Sequence, residues 1–323
     1  MTALALPTRR AEDWRYSDVE AVASIWPVPA PQRIVLGAGE DGAHALLQDA
    51  DHNAVIVRDY VIELSDGASF DFHLLNSGGR LGRVTFDVRL GKAAHFALHA
   101  AIIGGGEQTL EVVTTVTHAE PDATSEQVVR SILGGKATGN YLGKIAVEKG
   151  AQGTDASQSV KAMLLSRTAT ANAKPELEIF ADDVQCAHGC AVGELDKQAL
   201  FYMASRGMDP QTAQTLLLKA FVAGVFDGIE DEAERERAKA LHETLMHGAP
   251  QTASGFAALA ARPETLDVDP DFDNNLVLRP DLHDPVIAAK DRMIRTRRWK
   301  LVEIPGHDAP ILRRVCATAT IYS

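Results

Sequence analysis

The sequence is poor in several features that would place it in a familiar class. It has only 3 cysteines among 323 residues, an odd number that forms no disulfide framework and fits a reducing cytoplasm. It has no excess of basic residues: the formal net charge is −12, which disfavours nucleic acids and anionic membrane surfaces as partners. Because no run of about 18 apolar residues occurs, no membrane-spanning helix is expected. The N-terminal residues do not resemble a signal peptide.

Between about residues 54 and 193 the sequence consists of short runs rich in Val, Ile, Thr and Phe, separated by glycine and polar turns. Several runs alternate with period two; in "GRVTFDVRLG", Val84, Phe86, Val88 and Leu90 share one face. No helical pattern intervenes, which argues against βαβ units. A sandwich, a barrel or a parallel β-solenoid remain. Few aromatic residues (6%) and connections of irregular length favour the solenoid.

Helical signals follow the strand-rich region. Asp196 is a candidate N-cap for a helix that stops at Gly207, and Asp209 with Pro210 begins a second helix. A third, highly charged helix is predicted in "DEAERERAKALHETLMH". The resulting domains are an N-terminal helical segment (1–35), a β core (36–193), a C-terminal helical domain (194–248) and an appendage (249–323).

One short stretch, "ADDVQCAHGCAVGELD", concentrates residues that bind soft metals. Cys186, His188 and Cys190 alternate with other residues, so in an extended strand they project from one face. Thiolate and imidazole suit iron, iron–sulfur clusters, zinc or copper. Three ligands from one strand do not close a tetrahedral site, so a further ligand would come from another subunit. The alternative is structural, with the cysteines packed as small hydrophobic residues and the histidine at a strand end.

Other candidate motifs favour structural roles. His95 and His99 would lie about 13 Å apart in a strand, too far for one ion, and are expected to be solvated. "SILGGKATGN" lacks the Ser/Thr and the first glycine of a P-loop, and "IIGGGE" precedes a strand, so both are predicted to be turns. Asp182 and Asp183 alternate faces and do not form the carboxylate pair of a polysaccharide-acting enzyme. A stand-alone Cys/His redox enzyme and a β-solenoid polysaccharide enzyme stay as alternatives.

Longer stretches resemble the SufB/SufD family of iron–sulfur cluster assembly proteins. The segment "PELEIFADDVQCAHGCAVGELDKQALFYMASRGM", followed by "AQTLLLKAF", resembles the family's C-terminal signature. "TDASQSVKAMLLSRTATANAKPELEI" resembles its last solenoid turns, and "LPTRRAEDWRYSDV" resembles the opening of its SufD branch. Gly189 follows the motif histidine, as in SufD, where SufB carries glutamate. The resemblance covers about residues 6–35 and 65–248.

This resemblance implies a right-handed parallel β-helix between helical segments, and a non-enzymatic scaffold subunit. It implies a heterodimer with SufB through the β-helix and docking of the ATPase SufC on the C-terminal helices. His188 would face SufB at the site of a transient iron–sulfur cluster that is shared with SufB and not held tightly by the lone chain. Cys186 matches the motif cysteine and is a possible second ligand. Cys190 falls where the family often has a small or polar residue, which argues against a ligand role.

The apolar run of the second helix is longer than one buried stripe requires, so part of it is expected to contact the ATPase. The candidate docking residues are Leu216, Leu217, Phe221 and Val222. Within the appendage, "DRMIRTRRWKLVEIPGHDAPILR" resembles the end of sulfatase-type hydrolases, but the sequence has no sulfatase nucleophile motif. The appendage is therefore interpreted as a catalytically empty fusion or a frame artefact, and the sequence pattern predicts no particular fold for it.

Overall fold

The computed structural model describes residues 6–226, residue 229 and the backbone of residues 320–321. Its strands form two sheets, and all strand pairs are parallel. Sheet A contains, in spatial order, β1 (Gln32–Leu36), β3 (Val55–Leu64), β5 (Leu81–Leu90), β7 (Thr109–His118), β9 (Thr138–Val147), β11 (Thr170–Ile179) and β13 (Thr320–Ile321). Sheet B contains β12 (Val184–Gly193), β10 (Thr154–Leu164), β8 (Thr124–Leu133), β6 (His95–Gly104), β4 (Ser69–Asn76) and β2 (Asp41–Gln48).

From β1 to β12, consecutive strands alternate between the two sheets, so each coil of the chain contributes one strand to each sheet. This arrangement is a parallel β-solenoid, and it confirms the predicted fold class. Parallel neighbours require no crossover helix here, because the chain returns to the same sheet by way of the other sheet.

The interior is filled by side chains that alternate inward along each strand. Val84, Phe86, Val88 and Leu90 are all fully buried, as the period-two pattern predicts. Aromatic rings contact one another in the interior: the Phe86 ring stacks on that of Tyr60 with centroids 5.4 Å apart, and meets that of Phe72 edge to face with centroids 4.7 Å apart. Burying each such side chain contributes about 1.5–3 kcal/mol to the stability of the solenoid.

Glycines form the corners where the coils turn. Gly135 lies between β8 and β9 with φ of +61°, a left-handed conformation that glycine adopts without steric strain. A Cβ atom there would also approach the backbone of Gly106 to 2.9 Å. Both glycine stretches are therefore turns, as predicted.

The N-terminal segment contains a 3-10 helix (Glu12–Trp14) and α1 (Val19–Ala23) and packs on the outer face of sheet A. Arg83 forms a fully buried ion pair with Glu111 at 2.7 Å. Its guanidinium carbon also lies 3.9 Å from the Trp14 ring centroid, and it donates a hydrogen bond to the Asp13 carbonyl at 2.9 Å. A buried charge cluster thus attaches this segment to the solenoid.

Two helices follow the solenoid, α2 (Lys197–Ser205) and α3 (Pro210–Ala223). Their predicted caps are confirmed: the Asp196 carboxylate accepts hydrogen bonds from two backbone amides of α2, and the Asp209 carboxylate from two of α3. Leu218 and Val222 of α3 are buried against the outer face of sheet B, in a cluster that includes Leu75. The predicted third helix and the appendage lie outside the described residues, apart from the backbone of β13.

Candidate functional site

The candidate ligands lie on β12, whose inward side chains are set by its register with β10. Cys186 pairs with Ala156, His188 with Gln158 and Cys190 with Val160. All three ligand candidates are half-buried, and they do share one face, as predicted. That face is the interior of the solenoid. Cys186 packs against the apolar cluster of the last coils, and Cys190 packs against the main core.

The three side chains do not meet at one point. A strand rises about 3.3 Å per residue, which separates Cys186 from Cys190 by about 13 Å. Within the part of the chain that the structure describes, no group of three or more His, Cys, Asp or Glu side chains could hold a metal ion. β12 therefore offers one ligand at a time and does not chelate through the whole triplet.

The protonation states at neutral pH make His188 a better ligand than Cys186. Burial raises the pKa of the Cys186 thiol to about 11, with a smaller contribution from the nearby Asp155 carboxylate. The thiol therefore keeps its proton at neutral pH and is a weak nucleophile and ligand. Burial lowers the pKa of His188 below its usual value. The imidazole is neutral at physiological pH and needs to lose no proton before it binds a ligand.

A polar column lies behind His188, at the same inward register position of the preceding sheet-B strands. Gln127 of β8 pairs with Gln158 of β10, which in turn pairs with His188. Both glutamines are fully buried. The Gln127 carbonyl oxygen accepts hydrogen bonds from the Thr114 hydroxyl at 2.6 Å and the Tyr141 hydroxyl at 3.0 Å. The sequence pattern did not predict this column, although a polar residue recurs at the matched inward position of β8, β10 and β12.

His95 and His99 do not behave as expected. Both are half-buried rather than solvated. The His95 Nδ1 atom lies 2.7 Å from the Thr124 hydroxyl. The His99 ring stacks on His73 with centroids 5.0 Å apart, and burial lowers the pKa of His99. For His99 the expectation failed because the segment after α3 covers its neighbour His73, whose Nδ1 atom lies 2.9 Å from the Val225 carbonyl.

The helices present an apolar outer surface. Phe201 and Tyr202 of α2 are 76% and 59% exposed, and Leu216 of α3 is 49% exposed. Among the other candidate docking residues, Leu217 is half-buried, whereas Phe221 packs towards the solenoid beside the fully buried Val222. The surface open to a partner in this conformation is therefore centred on Phe201, Tyr202 and Leu216, hereafter the helical patch.

Taken together, these features define a parallel β-solenoid protein whose last coil turns a neutral histidine inward and whose terminal helices expose aromatic side chains. In the described part of the chain, no helix has the length and apolarity to cross a membrane. Residues 30–221 match the family model described as SUF system FeS cluster assembly, SufBD core domain. The chain belongs to this family.

Curated relatives agree with this assignment. The chain is 30% identical over 200 residues to the chloroplastic protein ABCI7 of Arabidopsis thaliana, covering 61% of this chain and 42% of the relative. It is 29% identical over 172 residues to the iron–sulfur cluster assembly protein SufD of Escherichia coli, covering 53% and 41% of the two chains. The SufD of Bacillus subtilis is 27% identical over 164 residues, covering 51% and 37%. The chain thus spans about two fifths of the length of these relatives, and the predicted resemblance to the SufD branch is confirmed.

Proposed function

We propose that this protein is a SufD-like, non-enzymatic subunit of a cytoplasmic scaffold that assembles iron–sulfur clusters. In this proposal it pairs with a SufB-like chain through the end of the solenoid at β12, and the C-terminal helices dock a SufC-like ATPase. The nascent cluster is cargo that both solenoid chains hold transiently. The family assignment supports the general role, and the SufD names of two relatives support the branch.

The observation that carries the proposal is the position of β12. Within residues 6–226, β12 pairs with β10 alone and forms one edge of sheet B, with β2 at the other. An edge strand exposes backbone donors and acceptors that a strand from another chain can satisfy. His188 sits on this strand, half-buried. A solenoid partner added at this edge would therefore bring its own side chains next to His188.

The ligand chemistry of β12 also supports a shared site. An iron–sulfur cluster needs several soft ligands, commonly four. β12 supplies one neutral imidazole, which can bind iron or orient a bound sulfur atom, while the neighbouring Cys186 thiol stays protonated because burial raises its pKa to about 11. The remaining ligands must then come from elsewhere, and a partner at the edge of β12 is the nearest source.

The helical patch supports docking of the ATPase. Exposed Phe and Tyr side chains are common at the centres of protein interfaces, because they bury a large area with little loss of side-chain entropy. The two glycine stretches of this chain, "SILGGKATGN" and "IIGGGE", form turns rather than nucleotide-binding loops. This is compatible with a partner that binds and hydrolyses the nucleotide.

The test is the iron and acid-labile sulfide content of the complex co-purified with SufB- and SufC-like chains. We expect His188→Ala to reduce both sharply while the chain stays folded and the solenoid pair forms. Cys186→Ser should have a milder effect and Cys190→Ser the mildest. His52→Ala is the matched control, since its side chain is 59% exposed and lies on the loop before β3.

Two results would overturn the proposal. Normal iron and sulfide in the His188→Ala complex would remove His188 from the site. Stoichiometric, tightly bound metal in the purified lone chain would instead favour a stand-alone Cys/His redox enzyme.

A further inference from the structure

The two glutamines behind His188 carry buried polar atoms that find no hydrogen-bond partner among the described residues. Gln127 is 0% exposed and Gln158 is 2% exposed. Within residues 6–226, the Nε2 atom of Gln127 and both amide atoms of Gln158 make no hydrogen bond. A buried amide that makes no hydrogen bond is destabilising by about 1–3 kcal/mol. An apolar side chain would fill this column at less cost, so the amides call for another explanation.

The orientation of the Gln127 amide is set by two hydroxyl groups that contact its oxygen. Its oxygen accepts hydrogen bonds from the hydroxyls of Thr114 and Tyr141. The Tyr141 hydroxyl reaches this point because residue 143 is a glycine; a Cβ atom there would collide with the phenol oxygen. Burial raises the pKa of Tyr141, so the phenol keeps the proton that it donates. The Gln127 Nε2 group is therefore a donor that faces the rest of the column.

The register brings this donor to Gln158 and brings Gln158 to His188. The three residues occupy matched positions on neighbouring parallel strands, which lie about 4.8 Å apart. In-register glutamines at this spacing form amide ladders, with each NH2 group donating to the carbonyl of the next side chain. The terminal torsion of glutamine is broad, so a rotation of the Gln158 amide closes the ladder at little cost.

We propose that Gln127 and Gln158 form a directional amide ladder that positions the His188 imidazole. Gln127 Nε2 donates to Gln158 Oε1, and Gln158 Nε2 donates to the inward ring nitrogen of His188. That nitrogen is then an acceptor, and the ring proton of the neutral imidazole resides on the other nitrogen. This step rests on the proposed function: with this tautomer, His188 meets the nascent cluster as an N–H donor to a sulfur atom rather than as an iron ligand. Gln158 is thus a positioning residue for the shared site.

The direct test is the tautomer of His188 in the isotope-labelled full-length chain. Long-range 1H–15N spectra at neutral pH should show a single His188 tautomer. A 15N–15N coupling across the hydrogen bond should connect the Gln158 side chain to a His188 ring nitrogen, because that coupling requires an N–H···N bond. The isosteric Gln158→Met variant should give a mixture of tautomers. A mixture in the unmodified chain, or a single tautomer that Gln158→Met leaves unchanged, would refute the ladder. A single tautomer without the coupling would show that Gln158 accepts from the ring, which reverses the inferred role.

Stability separates positioning from a packing role. Because Gln158→Met removes the partner of the Gln127 Nε2 group and of the inward His188 nitrogen, we expect the midpoint of thermal unfolding to fall. An unchanged or raised midpoint would show that the Gln158 amide is unpaired in the folded chain and would refute the ladder. A lowered midpoint with an unchanged tautomer would indicate a packing role alone. Gln185→Met is the matched control, since Gln185 lies on the same strand but is exposed; it should change neither quantity.

A second readout links the ladder to the proposed function. In the co-purified complex, Gln158→Met should lower the sulfide content by about tenfold, the loss typical when the partner that orients a functional histidine is removed. Normal sulfide content despite an altered tautomer would overturn the role in assembly but leave the ladder standing. Normal iron and sulfide content in the His188→Ala complex would contradict the proposed function itself. The tautomer measurement needs no partner chain, so it tests the ladder independently of that function.

Discussion

A buried histidine in the solenoid should make the fold sensitive to mild acid. His118 ends β7, is fully buried, and its Nε2 atom lies 2.9 Å from the Ser125 hydroxyl. Burial lowers the pKa of His118 from 6.5 to about 4. The unfolded chain binds a proton here at a higher pH than the folded chain does. This contribution to stability is therefore complete above pH 6.5 and is lost as the pH falls towards about 4.

The size of the loss follows from the two pKa values. Their difference corresponds to about 3 kcal/mol at low pH, and to about 2 kcal/mol at pH 5. Because single domains are stable by only about 5–15 kcal/mol, a loss of this size is easily measured.

The assay is equilibrium urea unfolding at pH 7.5 and pH 5, comparing the unmodified chain with His118→Gln. Glutamine keeps a hydrogen-bonding group near Ser125 but does not titrate. We expect the variant to lose about 2 kcal/mol less than the unmodified chain between the two pH values, whatever its stability at pH 7.5. His52→Gln, at an exposed position, should not change the pH dependence. An equal loss in the unmodified chain and in His118→Gln would refute the reasoning.

Two further predictions concern the segments that flank the solenoid. Arg83→Met should lower the free energy of unfolding, measured with urea, by about 3–5 kcal/mol, because it leaves the buried Glu111 carboxylate without its counter-charge. Arg89→Met removes one partner of an exposed pair and should change that free energy by at most about 1 kcal/mol. Similar effects of the two changes would contradict this account. Ala220→Glu places a charge on the exposed side of α3; under the proposed function it should weaken binding of a SufC-like ATPase while sparing the solenoid pair. Loss of both partners would indicate misfolding instead.

Local patterns in the sequence are sufficient for much of the architecture. The alternation of Val84, Phe86, Val88 and Leu90 predicted a strand with one apolar face, because side chains on a strand project with period two. Asp196 and Asp209 predicted the starts of two helices, since a carboxylate can satisfy the first free amides of a helix. The shared face of Cys186 and His188 followed from the same period. These features depend on neighbours in the chain, which the sequence shows directly.

Only the tertiary structure decided which face of β12 is turned inward and what lies behind it. Period two predicts a common face but not its direction, and the direction came from the register with β10. The coils differ in length, so the alignment of Gln127, Gln158 and His188 depends on strand pairing between residues distant in sequence. The packing of α3 on sheet B likewise buries His73 through contacts that no local pattern contains. These contacts join strands that are separated in sequence by a whole coil, which is why the site's chemistry had to be determined from the fold.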